Sequence, residues 1–267
     1  MEDFAYMFLY IAPFGAAMFW FRWYAPFFTD RLRHIRPNPL YGPMMAVPLV
    51  CAAIIFGILY AYSASDVQSD ATYLFLYFAL GLAWIGIGEW FFRMLGISAI
   101  FDVLERANPA AFFAVTGAFV GLAICYSGGN IGEGPGPEAV FYAAGLASIA
   151  YGAVWWAYST ITQIDYAVTM HRDLASGVRL GGFLLAAGMI LGRAAAGNWV
   201  SYAATLGDMI RFGSPVLLLL LFALGIERLA HPTAEMPNRP VLQFGVLPAL
   251  IFVTGALIWL SVGDFPI

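Results

Sequence analysis

Eight apolar runs, each near the length of a bilayer crossing, decide what this chain can fold into. They cover approximately 5–24, 40–62, 71–94, 109–127, 137–160, 174–196, 206–228 and 240–262. A membrane-spanning helix takes about 20 consecutive apolar residues, whereas a barrel strand takes about 9–11. Run length therefore predicts an all-α polytopic membrane protein with eight transmembrane helices. Composition agrees: 62% of the 267 residues are hydrophobic and only 10% are charged, against about 25% charged in soluble domains. The 17% of aromatic residues suits interfacial belts. The N-terminus opens MEDFAYMFLYIAPFG, with acids where a signal peptide carries bases. It reads as a first membrane helix that the mature protein keeps.

The even-numbered runs share a start. Asn38-Pro39, Asn108-Pro109, Asp173-Leu174 and Asn238-Arg239-Pro240 recur about 65–70 residues apart. Asn and Asp are preferred N-caps, because their side chains accept from a free helical N–H. Pro fits the first turn, where its missing donor costs nothing. The chain thus reads as one integral membrane domain of four tandem two-helix units, approximately 1–65, 66–132, 133–200 and 201–267. Each unit is a first helix, a polar corner and a capped second helix. The corners FTDRLRHIRPN, ISAIFDVLERANP and ITQIDYAVTMHRD mix apolar and charged residues at helical spacing, as interfacial segments do. The fourth, IERLAHPTAEMPN, is interrupted by Pro232.

The capped helices of the middle units carry small residues at matched places, Gly117 and Gly121, then Gly182 and Ala186. Small-xxx-small spacing lets helix backbones meet in lipid. The outer units carry Pro48 and Pro248 instead, and a mid-helix Pro kinks its helix. The expectation is a tightly packed centre in which the two inner units meet through these small residues, with kinked outer units around it. Arg22, Arg31, Arg33, Arg36, Arg93, Arg106, Arg172, Arg228 and Arg239 fall in or beside the corners, but only Arg193 and Arg211 in the connections between units. The positive-inside rule then places the corners in the cytoplasm and both termini outside.

Chemistry is sparse. There is no Lys, hence no lysine Schiff base and no rhodopsin-type pigment. No basic patch interleaves with aromatics, so nucleic acid is not a partner. Cys51 and Cys125 lie in apolar runs and read as packing residues. His34, His171 and His231 sit in corners at unlike positions relative to the caps, which argues against a three-histidine metal site. No histidine stands in an apolar run to ligate haem, and no nucleophile elbow is present. The reading is non-enzymatic, without metal or cofactor. Asn108-Pro109-Ala110 spells the aquaporin signature, but those motifs lie on inverted half-helices and this one opens a full-length helix. Intramembrane charges are functional candidates by default. Glu89 lies near a corner end, with an i,i+4 pairing to Arg93 as its plain explanation. Arg179 lies about two turns inside its helix, with snorkelling as its plain explanation. Arg193 reaches the opposite surface. The middle layer of the membrane carries no charge, whereas ion-coupled pumps place acids or bases there.

ERANPAAFFAVTGAFVGLAI and MHRDLASGVRLGGFLLAAGMILG resemble the YjfL-type bacterial inner-membrane proteins, a family of tandem two-helix domains. Its pattern is an Asn followed by small residues and a Gly-rich helix. Asn108, Ala110, Ala111, Gly117 and Gly121 match it; Asp173, Ala175, Gly182 and Ala186 match less closely. The resemblance covers roughly residues 72–200 and implies a distant or expanded member. The outer units depart from it, with Pro where Gly is expected. It transfers no activity, only an association with envelope stress and membrane binding. The expected function is a non-enzymatic bacterial inner-membrane scaffold or complex subunit, embedded in the bilayer, with protein partners at the corners or outer loops. The alternative is a channel or transporter for a neutral or lipid-like solute. A water-filled cavity reaching the midplane would mark the second; an exposed apolar groove would mark the first.

Overall fold

The computed structural model describes the backbone of residues 2–28, 38–233 and 239–262, and the side chains of these except 2–10 and 26. Nine long helices appear among them: α1 Glu2–Phe28, α2 Tyr41–Tyr62, α3 Ala71–Met94, α4 Pro109–Gly128, α5 Pro137–Thr162, α6 Leu174–Ala195, α7 Tyr202–Gly213, α8 Pro215–Ala230 and α9 Leu242–Val262. Short helices fill three connections, at Ser65–Ser69, Ala99–Glu105 (a π-helix) and Ile164–Thr169. Seven stretches are long and apolar enough to cross a membrane: α2 to α6, the α7–α8 pair, and α9. The molecule is a multi-pass membrane protein by this measure. Helix α1 is also long, but its side chains are described only from Ile11 onward. Expected features at Asn238, His34 and most of the first corner lie outside the described residues.

Two helices form the centre. Burial covers 67% of the apolar window of α4 and 72% of that of α6, against 22% for α9. Their pairing is the most extensive in the fold. Around it, α2 lies against α4, α9 against α6, α1 against α3, and α5 against both central helices. The outward faces carry large apolar side chains such as Phe14, Phe75, Ile149, Leu218 and Leu257. In water such faces would be costly at about 25 cal/mol per Å²; in lipid they cost nothing.

The seventh apolar run is not one straight helix. Pro215 opens α8 and has no N–H to give the Arg211 carbonyl four residues back. The chain breaks at Ser214, whose hydroxyl donates to that carbonyl at 3.2 Å. Pro248 acts in the same way in α9. It deprives the Phe244 carbonyl of its regular donor, and the turn before it, Leu242–Val246, widens into a π-helix. Of the kinks expected at Pro48 and Pro248, the second site shows a widened turn, whereas α2 runs through Pro48 as one unbroken helix.

Candidate functional site

The capping residues do more than start helices. Asn108 Oδ1 accepts from the N–H groups of Ala110 (3.0 Å) and Ala111 (3.3 Å). Its Nδ2 donates across the corner to the Val168 carbonyl at 2.8 Å. Asn38 accepts from Leu40 N–H at 2.8 Å and donates to the carbonyls of Val103 (3.2 Å) and Leu104 (2.8 Å). Asp173 accepts from Ser176 N–H at 2.8 Å and from Arg239 N–H at 3.4 Å. Each cap thus ties its own helix to the corner that follows in the chain. The backbone leading into the second and third caps is alike as well. Ala107 and Arg172 take left-handed φ values of 49° and 56°. Asn108 N–H donates to Asp102 and Asp173 N–H to Ala167, each six residues back.

The small residues lie where helices touch. A Cβ at Gly117 would run into the backbone of Gly181, and one at Gly128 into Gly192. A Cβ at Gly121 would stand 2.6 Å from the Tyr151 hydroxyl and 2.7 Å from the Leu184 carbonyl. Ala186 is fully buried. Gly182, however, does not face Gly117. It meets Ala249 of α9. The expectation that Gly117 and Gly182 join the inner units to each other is corrected here: Gly181 takes that place. Adjacent helix positions point about 100° apart, so Gly181 and Gly182 serve two different neighbours. Gly117 faces the capped helix next in the chain, and so does Gly182.

Arg179 is the centre of the corner end. It is fully buried, so snorkelling is not its role. Its Nε donates to Glu227 Oε2 at 2.7 Å and its Nη2 to Glu227 Oε1 at 2.8 Å, a two-pronged pair. Nη2 also reaches Ser176 Oγ at 3.1 Å. Nη1 donates to the Phe244 carbonyl, the one that Pro248 deprives of a helical donor. Tyr158 donates its hydroxyl proton to Glu227 Oε2 at 2.9 Å. His231 Nδ1 stands 3.1 Å from Glu227 Oε1, and the His231 carbonyl accepts from Arg239 Nε and Nη2 at 3.1 and 3.0 Å. One carboxylate, one guanidinium and their neighbours thus lock α5, α6, α8 and α9 together. Such a group can hold helices in register, but every oxygen and nitrogen named in it is engaged with another protein atom. A cavity of about 280 Å³ opens beside it, lined by Glu227, Arg228 and His231 among others.

Glu227 was not a candidate on sequence, yet a signal existed. An acid in the last turn of an apolar helix opposes the helix dipole, so it demands a cation from elsewhere. Glu89 accepts from Arg93 at 2.5 Å, the i,i+4 pair that its spacing suggests. Its other oxygen, Oε1, is buried and has no hydrogen-bond partner among the described residues. Arg193 is partly buried near the loop end of α6, with Nη1 3.3 Å from the Ala196 carbonyl. His171 packs edge-on against Tyr166, far in sequence and in setting from His231. In the third corner, burial raises the Asp165 carboxyl above its ordinary range, against backbone hydrogen bonds that lower it.

At the loop end, Gly132 N–H donates to the Tyr62 carbonyl, Gly197 N–H to Ile131, and Trp199 N–H to Glu133. Glu133 Oε1 accepts from Ser65 N–H at 3.0 Å, and Asn198 Oδ1 from Glu133 N–H at 2.8 Å. These bonds link successive connections at this end as the caps link successive corners at the other. An open, largely apolar groove of about 520 Å³ runs between α1 and α3. Comparison with protein-family models, with curated proteins and with solved structures finds no match to this chain.

Proposed function

We propose that this chain is a non-enzymatic scaffold or complex subunit of a bacterial inner membrane. On this reading α1 is an eighth crossing, the four units are tandem repeats, the corners face the cytoplasm and both termini face outward. The arginines beside the corners support that orientation. The recurring cap bonds and the shared left-handed residues support the repeat; kinship to the YjfL-type proteins rests on the sequence resemblance alone. The observation that carries the functional reading is the closed centre. Helices α4 and α6 meet backbone to backbone along Gly117–Gly181 and Gly128–Gly192, which leaves no lumen between them. Room for another molecule lies in grooves around this centre, among them the one between α1 and α3.

The test is purification in mild detergent with cross-linking and mass spectrometry, beside a solute-flux assay in proteoliposomes. The scaffold reading expects one protein cross-linked reproducibly through the corners or outer loops, and no flux. Flux of a neutral solute, lost when the protein is left out, would replace it with the transport reading.

A further inference from the structure

The groove between α1 and α3 has the shape and charge of a phospholipid site. Its walls are apolar, among them Ile11, Met18, Phe19, Trp84 and Ile87, and its lining also includes Arg22 and Glu89. From Ile11 to Arg22 the wall of α1 runs about 16 Å at 1.5 Å per residue. That is roughly half the 30 Å hydrocarbon core of a bilayer, the depth of one leaflet. Arg22 is exposed at one end of this length and has no carboxylate partner among the described residues. Glu89, at the same end, is already neutralised by Arg93. The three groups together carry one net positive charge, while Glu89 Oε1 lacks a donor. An exposed cation, with a buried acceptor lacking a donor beside it, stands at one end of an apolar channel as long as one leaflet, an arrangement that complements an anionic head carrying a hydroxyl.

We infer that this groove binds an anionic phospholipid with a hydroxyl-bearing head, of the phosphatidylglycerol kind. Its phosphate lies at Arg22, its hydroxyl donates to Glu89 Oε1 after a small turn of the Glu89–Arg93 pair, and one acyl chain follows α1 towards Ile11. This inference does not rest on the scaffold reading.

The experiment is native mass spectrometry of the full chain, titrated separately with phosphatidylglycerol, phosphatidylethanolamine and phosphatidylcholine. One basic side chain near a membrane favours an anionic lipid about fivefold. Phosphatidylglycerol is expected to bind at least that much more tightly than the other two. Arg22→Gln is expected to erase the preference and Arg22→Lys to keep it. Ala83→Trp, which fills the groove, is expected to lower binding of all three. Thermal melts show which variants are folded, and if Ala83→Trp is not, the exposed Arg22 pair carries the test. Equal binding of the three lipids, or a preference that survives Arg22→Gln, overturns the assignment. Phosphatidylethanolamine binding as tightly as phosphatidylglycerol overturns the choice of an anionic head.

Discussion

At the residue scale, Arg179 and Glu227 depend on each other. Burying either alone would strand a charge, and breaking a buried pair costs about 3–5 kcal/mol. Glu227→Gln and Arg179→Met are each expected to lower the melting temperature sharply in detergent. The double variant Arg179→Met/Glu227→Leu is expected to recover part of the loss, because it strands no charge but leaves the Tyr158 hydroxyl and the Phe244 carbonyl without their partners. A Glu227→Gln protein that melts with the parent would mean that the pair is not desolvated. Asn108 separates two roles in the same way. Asn108→Ser keeps a capping acceptor for the first turn of α4 but is too short to donate to the Val168 carbonyl, and it buries no charge. It is expected to cost less than Asn108→Ala, which loses both functions and about 0.5–2 kcal/mol for the cap alone. Asp165 gives a pH signature. Its carboxyl is raised by burial, so charging it weakens the fold: stability is full while it is protonated and falls as pH rises through its raised pKa. Asp165→Asn, measured by thermal melting, is expected to gain more over the parent at about pH 7 than at about pH 3. A gain independent of pH would assign the effect to something other than this carboxyl. The caps were legible because a capping side chain acts on its own helix, within three residues. The Arg179–Glu227 pair was not, because it joins residues 48 apart in sequence whose meeting depends on how whole helices pack.

At the element scale, glycines divide by what they face. Gly117 and Gly182 stand against the backbones of neighbouring helices, whereas Gly57, Gly225 and Gly255 have nothing within reach of a Cβ. Gly117→Leu and Gly182→Leu are expected to cost at least the 1–3 kcal/mol typical of overpacking, roughly, with lower melting temperature and lower folded yield. Gly57→Ala and Gly255→Ala are expected to melt at or slightly above the parent, since Ala favours helix by about 1 kcal/mol over an unconstrained Gly. Equal melting of both sets would show that α4, α6 and α9 do not meet through these faces. Sequence spacing located the small residues but not their partners. Gly181 and Gly182 look alike in a string of letters, and one rotation of 100° sends them to different helices. The widened turn at Pro248 was legible for a related reason, whereas the break at Pro215 was not read and Pro48 leaves α2 an unbroken helix. A missing N–H acts at a fixed distance of four residues, so Pro248 marks the Phe244 carbonyl wherever the helix lies. That Arg179 fills the vacancy is a fact of packing.

At the scale of the whole molecule, the bonds made by the caps at one end and by the outer connections at the other run in one direction along the chain. Asn38 reaches the second corner, Asn108 the third, and Asp173 the fourth. At the opposite end, Gly132 reaches back to Tyr62 and Gly197 to Ile131. Successive capped helices α2, α4, α6 and α9 therefore lie side by side, each on the next. Parallel neighbours of this kind require every corner to lie at one end of the bundle and every connection between units at the other. Length and cap spacing were enough to suggest this alternation, because each crossing reverses the chain. Which end faces the cytoplasm rests on arginine placement alone, and it is open to a direct check. The native cysteines Cys51 and Cys125 are both buried, so a single introduced cysteine reports by itself. Gly134 is exposed in an outer connection and His171 in a corner. Gly134→Cys is expected to react with a membrane-impermeant maleimide in intact cells from which any outer membrane has been removed. His171→Cys is expected to react only after the inner membrane is opened. The reverse pattern would invert the proposed orientation and leave the alternation intact. Reaction of both cysteines in sealed cells would remove the alternation itself, and with it the side-by-side order of the capped helices.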